Sequence, residues 1–264
     1  MTKDYETLLI ESEKPILKIT FNRPNKANAM NSKMNDELND VLTFLQSNSD
    51  YKFVLFTGSG NAFSSGADMK ELLINFENNK MNSSEIRLDQ IQRQEFLRKF
   101  DALDQITIAA INGPMYGAGF ALAMACDFRI MAEDATACLP EVERGLFFSG
   151  GGTPRLVNLV GPAKAKEIIM LCEVIDAKES LHIGLVNKVA PKGQLFEVTN
   201  EFVSKLRKSP FSPIRMTKKI VNASVPRFEN LLLYEPELQS YMMLYGEARE
   251  EINKYIHQKS NTAN

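Results

Sequence analysis

The chain has 264 residues, 44% of them hydrophobic, enough to bury a substantial core in one large domain or in a domain with an appendage. Lys and Arg number 31 against 33 Asp and Glu, a net charge of −2, so no overall positive field draws nucleic acid to it. Three cysteines, Cys126, Cys138 and Cys172, sit in apolar sequence with no Cys-x-x-Cys pair, which points to buried thiols in a reducing compartment and away from disulfides and structural zinc.

The first residues, Met1 to Glu6, lack the apolar stretch of a signal peptide, and no run approaches the length of a membrane span. A cytoplasmic protein with no membrane partner is the expectation. Thr7 to Glu11 and Ile16 to Phe21 read as strands joined by a polar turn. Asn22-Arg23-Pro24-Asn25-Lys26 then breaks regular structure, and Ser32 is placed to cap a helix whose Met34, Leu38, Val41, Leu42 and Leu45 share one face. Phe53 to Thr57 is a continuous apolar run leaving through Gly58-Ser59-Gly60, the pattern of a strand buried on both faces. Ala62 to Glu71 is a small-residue turn into another helix. Between Asn75 and Asp104 the apolar residues Leu88, Ile91, Phe96, Phe100 and Leu103 predict helix, with residues 78–84 as a mobile stretch.

The segment from Ile108 to Thr153 carries the chemistry. Ile108 to Ile111 reads as a buried strand, Asn112-Gly113-Pro114 as its exit, and Gly117-Ala118-Gly119 as a turn into the helix-forming Phe120 to Ala125. A helix start presents unpaired backbone N–H groups and the positive end of the macrodipole, which hold an oxygen carrying negative charge. Glu141, fixed after Pro140, is a candidate base, and Ser149 stands before Gly150-Gly151-Gly152, either capping the next helix or holding a water. The same features also describe an ordinary tight turn and a solvated loop. Of the two histidines, His182 reads as a helix-end residue.

Phe128 to Met131, Ala137 to Leu139 and Val186 to Val189 are short strands; after Thr153 helical patterns otherwise dominate, over Gly193 to Lys208, Ser212 to Ala223 and Phe228 to Gln258. Strands alternating with helices imply an α/β fold with a mostly parallel sheet and right-handed crossovers. The division expected is a core of residues 1–195 and a helical region of residues 196–264. Lys205-Leu206-Arg207-Lys208 is a solvated helix face in the first instance and a nucleic-acid patch only in the second.

Asn22 to Met30, Phe63 to Lys70, Asn112-Gly113 through Gly119, Cys126-Asp127, and Pro140-Glu141 with Gly145 together resemble the crotonase, or enoyl-CoA hydratase/isomerase, superfamily, in order and spacing over nearly the whole chain. The resemblance implies a spiral of ββα units with a helical C-terminal trimerisation region, assembled as a homotrimer or homohexamer. It implies an acyl-CoA thioester as ligand, with coenzyme A part of the substrate and neither a separate cofactor nor a metal. The backbone N–H groups of Ala67 and Ala118 would form an oxyanion hole, and Lys26, Ala27, Asn28, Ala67, Asp68, Met69 and Lys70 would lie along the CoA, with Gly117, Ala121 and Ser149 around the acyl group.

One position departs from the hydratase pattern. Hydratases of this family place a second glutamate where this chain has Ala121, and only Glu141 remains. That single carboxylate resembles the Δ3,Δ2-enoyl-CoA isomerases, so isomerisation is the leading expectation, with hydration by a substituted site as the alternative. A homologue retained for binding CoA or RNA is the reading from outside enzymes. Dienoyl-CoA isomerases add an aspartate at the position of Ser149, and Glu143 is expected to face away from Glu141.

Overall fold

In the computed structural model, which describes residues 4–77, 82–226 and 229–261, the chain opens with an antiparallel hairpin of β1 (Leu8–Glu13) and β2 (Ile16–Phe21). Four further strands continue that sheet in parallel. β3 (Phe53–Gly58) and β4 (Ile106–Ile111) are buried at every residue, as their unbroken apolar runs require of strands covered on both faces. With β6 (Phe128–Ala132) and β9 (Lys188–Ala190) the sheet order is β1-β2-β3-β4-β6-β9. The expected mostly parallel sheet is present, with its single antiparallel pairing at the hairpin.

α1 (Ser32–Gln46) buries Met34, Leu38, Val41, Leu42 and Leu45, the stripe visible in the sequence. Its cap is Asn31 rather than Ser32: the Asn31 side chain accepts from the Met34 N–H at 3.0 Å, so the helix starts one residue earlier. Glu37 is also buried on this face, where its carboxylate accepts the backbone N–H groups of Glu6 and Thr7, both at 2.9 Å, and ties the start of β1 to α1.

α2 (Met69–Glu77) and α3 (Ser83–Ala102) follow, the latter opened by a capping box between Asn82 and Glu85. The stretch expected to be mobile falls partly on residues 78–81, outside the described residues; at Asn82 to Ser84 the cap and first turn of α3 replace it. A second sheet, order β5-β7-β8, is built from β5 (Met115–Tyr116), β7 (Thr136–Cys138) and β8 (Ile175–Asp176). β5 and β8 have two residues each, too few to leave an alternating signature, and the sequence reading missed both. α4 (Gly117–Ala125) is almost wholly buried beside them.

α5 (Gly152–Leu171) is interrupted at Gly161, φ +78, just ahead of Pro162. α6 (Ala177–His182) ends at the histidine, as expected of a helix-end residue. α7 (Leu195–Leu206) buries Leu195 and Val203 in the main core, so packing runs continuously past residue 195. α8 (Phe211–Ser224) is followed by α9 (Glu229–Tyr245) and α10 (Ala248–Asn261). The helical pattern expected over Phe228 to Gln258 forms two helices: the chain breaks at Gly246, where a Cβ would lie 2.5 Å from the Met242 carbonyl oxygen. Phe228 itself lies outside the described residues.

All three cysteines are free and buried, and burial pushes the Cys126 thiol up to about 12 and Cys138 up to about 11. Among the described residues no helix is long and apolar enough to cross a membrane, and no cluster of side chains is arranged to hold a metal ion.

Candidate active site

Two backbone turns that the sequence singled out lie side by side. In the first, Met30 N–H donates to the Gly66 carbonyl at 2.8 Å and Asp68 N–H donates to the Met30 carbonyl at 3.0 Å. Ala67, between them, pairs with Met30 as a parallel bridge, and the strand alternation turns its own N–H the other way. The second turn is the start of α4, where Gly117 has φ +50 and Tyr116 supplies no side-chain cap. Ala118 N–H is one of the first helical donors, which have no carbonyl of their own helix to reach. A Cβ at Gly66 would sit 3.4 Å from the Ala118 nitrogen and 3.4 Å from the Gly117 Cα. The turns are held together by Ser64, whose N–H donates to the Pro114 carbonyl (3.1 Å) and whose carbonyl accepts from Tyr116 N–H (2.9 Å).

Glu141 completes the cluster. Its backbone carbonyl accepts from Arg144 N–H (3.0 Å) and Leu146 N–H (2.9 Å), fixing the loop that carries it, a single turn of 3-10 helix over Val142–Arg144. Its Oε1 is 2.9 Å from where a Cβ on Gly117 would be, and its Oε2 is buried with no hydrogen-bond partner. Desolvation pushes this carboxyl up to about 7, opposed by its own backbone N–H and by the Arg144 guanidinium. A carboxyl titrating near neutrality both takes and returns a proton at little cost.

These groups open on a cavity of about 200 Å³ lined by Met30, Ala67, Gly117, Ala118, Ala121 and Glu141 together with residues of α1, α3, the loop after Glu141, and α9. Met69 and Ser149 also line it. Ser149 does not cap α5: the cap position is Gly151 in the left-handed region, with no side-chain hydrogen bond, because the glycine run lets the backbone turn without one. Glu143 is exposed and lies off the cavity wall, facing away as expected.

The remaining expected CoA residues sit outside the cavity. Lys26 and Lys70 are exposed. The Ala27 carbonyl, on a residue at φ +47, accepts from Ser65 N–H at 2.9 Å and so joins its segment to the first turn. The Asn28 side chain is not available to a ligand. It is fully buried, its Oδ1 accepts from Arg23 N–H (2.9 Å), and its Nδ2 donates to the carbonyls of Ser59 (2.9 Å) and Ala62 (2.8 Å). Asp68 is likewise engaged, paired with the Arg23 guanidinium at 2.9 Å. Both residues hold the first turn in place and touch the site only through it.

Sequence reasoning overlooked Gly66, whose φ of +94 and close approach to Ala118 leave no room for a side chain. It also overlooked Arg144, which lines the cavity with its guanidinium 4.3 Å from the Tyr255 ring centroid, tying α10 to the Glu141 loop. A positive residue three places after a proposed base was the available signal for Arg144. Gln90 and Gln239, both buried on the cavity wall, left none.

Comparison with known proteins agrees with this geometry. Residues 11–260 match the family model described as enoyl-CoA hydratase/isomerase. The short-chain-enoyl-CoA hydratase of Clostridium acetobutylicum is 33% identical over 236 residues, 89% of this chain and 88% of that protein. The crotonyl-CoA hydratase of Syntrophomonas wolfei is 35% identical over 219 residues, covering 83% and 82%. A solved enoyl-CoA hydratase/isomerase from Mycobacterium paratuberculosis superposes with a TM-score of 0.86 over 96% of this chain and all (100%) of that one, at 24% identity, and shares its fold. A sheet core that brings two small-residue turns and one half-buried glutamate together, matched along nearly its whole length, identifies the chain as a member of the enoyl-CoA hydratase/isomerase family.

Proposed function

We propose that the protein moves a double bond in an acyl-CoA, converting a 3-enoyl-CoA to the conjugated 2-enoyl-CoA. Glu141 takes a proton from C2, and the electron pair spreads onto the thioester oxygen, held by the N–H groups of Ala67 and Ala118. The same carboxyl returns the proton at C4, and the double bond re-forms between C2 and C3. A preorganised donor of this kind contributes about 2.7–4 kcal/mol to transition-state stabilisation. The observation that carries the reading is that the cavity is lined by Glu141, whose Oε2 has no hydrogen-bond partner, and by Ala121, whose methyl side chain offers no second carboxylate. One base suffices for a proton shuttle, whereas adding water needs a second group to position the nucleophile.

Hydration is the second reading, and the names of the two bacterial relatives favour it, since both are hydratases. In that case Glu141 activates the water, with Ser149 as the hydroxyl-bearing residue among those that line the cavity. The experiment supplies 3-enoyl- and 2-enoyl-CoA of several chain lengths and follows conjugation and 3-hydroxyacyl-CoA formation separately. Faster isomerisation supports the first reading; efficient hydration without isomerisation overturns it. Ala121→Glu is expected to raise hydration relative to isomerisation.

The exposed Lys26 and Lys70 are proposed to meet the CoA phosphates, being solvent-facing ends of the two segments joined through Ala27 and Ser65. A homotrimer or homohexamer is proposed from the exposed Leu233, Tyr234, Leu238, Tyr241 and Tyr245 of α9, more apolar surface than one helix leaves to water. Light scattering that shows a stable monomer at micromolar concentration would overturn it.

A further inference from the structure

The turn that opens α5 lacks the usual means of holding itself. Gly151 occupies the cap position with no side-chain hydrogen bond, and no acidic residue stands in the first turn of α5. A carboxylate from elsewhere in the chain fills that place: Gly151 N–H donates at 2.8 Å to Glu235 Oε2, from α9. Glu235 is 2% exposed and its Oε1 is buried without a hydrogen-bond partner, so the whole hold passes through Oε2.

The same oxygen reaches α3. Gln94 Nε2 donates to Glu235 Oε2 at 2.7 Å and to the Leu232 carbonyl at 3.0 Å. The second of these bonds has its cause in the sequence of α9. A helical carbonyl at position 232 accepts from the N–H of residue 236, and Pro236 has none. Gln94 supplies the missing donor and is thereby fixed against α9 beside Glu235. The three segments close on one another at the turn, where a Cβ on Gly151 would lie 3.7 Å from Leu232 Cδ2 and 3.9 Å from Gln94 Cγ.

Each segment that meets at Glu235 carries residues of the cavity: Phe96 and Leu97 on α3, Phe148 and Ser149 leading into the turn, and Met243 on α9. Phe148 depends on the turn most directly. Its ring lies so close over Gly152 that a Cβ there would overlap it, and it packs edge-on against Phe120 of α4, with ring centroids 6.3 Å apart. We infer that Glu235 is a positioning residue that sets acyl-chain selectivity, by fixing α3, α9 and the turn of Ser149 to Gly151 in one arrangement around the cavity. This rests on the acyl-CoA reading above and deepens it by naming what decides the length of the acyl group. Glu141 and the turns at Ala67 and Ala118 stand on other segments, so the effect belongs to substrate fit and not to proton transfer.

The test follows C2-proton exchange against substrate concentration for acyl-CoAs of four to ten carbons, in the full chain and in Glu235→Leu, Glu235→Gln and Gln94→Leu. Thermal melts show which variants are folded. The unaltered protein should favour its best chain length over its worst by about tenfold or more in kcat/KM. Glu235→Leu should bring that ratio within about threefold, with the change carried by KM. Glu235→Gln keeps one oxygen for both bonds and should restore the selectivity. Gln94→Leu removes the bond from α3 at a half-buried position and should weaken selectivity in the same direction, which carries the test where Glu235→Leu yields no folded protein. Unchanged selectivity in the folded variants overturns the inference, as does a uniform fall in kcat at every chain length, the mark of a purely structural role. An unaltered protein that exchanges all chain lengths equally overturns it too. Exchange with a selectivity that the variants leave untouched sinks this inference alone; no exchange and no acyl-CoA binding at all sinks the acyl-CoA reading with it.

Discussion

The Glu141 carboxylate lies directly over Gly117, so that a single added carbon on Gly117 would come within 2.9 Å of Oε1. The carboxylate and the turn at the start of α4 are thus close neighbours, and the absence of a side chain at Gly117 makes room for that approach. Gly117→Ala would displace the carboxylate and force an alanine to φ +50. The expected outcome is a folded protein less stable by about 1–2 kcal/mol, with kcat reduced on the order of a hundredfold, as when catalytic geometry slips by an ångström. Thermal melts and steady-state kinetics check both parts.

Glu141→Gln keeps the shape and removes the base. Proton exchange at C2 should fall by several orders of magnitude while affinity for a saturated acyl-CoA changes little. Near-normal turnover would remove Glu141 from the mechanism.

The same substitution has a stability signature. The folded-state carboxyl is raised from 4.5 to about 7, so between these values the folded protein holds a proton that the unfolded chain has released. Stability is therefore lost as pH rises from about 4.5 to about 7 and levels off above, a loss on the order of 3 kcal/mol for a shift of this size. Denaturant melts across that range should show the decline in the native protein and its absence in Glu141→Gln. An identical pH profile in both would place the titration elsewhere.

Arg144→Met removes the cation that favours ionised Glu141 and the contact with Tyr255. The acidic limb of the kcat/KM profile, where protonation of Glu141 removes the base, should then move to higher pH, since the carboxyl loses part of what opposes its desolvation. A profile that keeps its midpoint and only loses amplitude would make Arg144 a structural tie between α10 and the loop and nothing more.

Asn28→Ala tests a residue that supports the site without reaching the cavity. It would strand the Arg23 N–H and the Ser59 and Ala62 carbonyls, costing about 2–4 kcal/mol at three buried bonds. Because the same segment braces the turn of Ala67, kcat should fall with little change in KM; unaltered stability would contradict the assigned role.

The sequence by itself determined the parallel core, the α1 stripe, the two small-residue turns and Glu141. Each of these is encoded locally, by side-chain periodicity, by glycine, or by a short motif read along the chain. Unbroken apolar runs such as Phe53 to Thr57 have few ways to be buried other than as central strands. Tertiary structure decided what depends on neighbours distant in sequence. The Asn28 side chain is consumed by backbone groups at residues 23, 59 and 62, partners that no local pattern announces. The elevated titration of Glu141 comes from desolvation by packed elements, a property no motif carries. The cavity itself is lined by residues from α1, α3, α4, the Glu141 loop and α9, and glutamines such as Gln90 and Gln239 on two of those helices read in isolation only as helix-surface residues. Desolvation and unmet hydrogen bonds exist only once the chain has closed around a group, which is why chemistry at this site became visible in the fold and not in the string of residues.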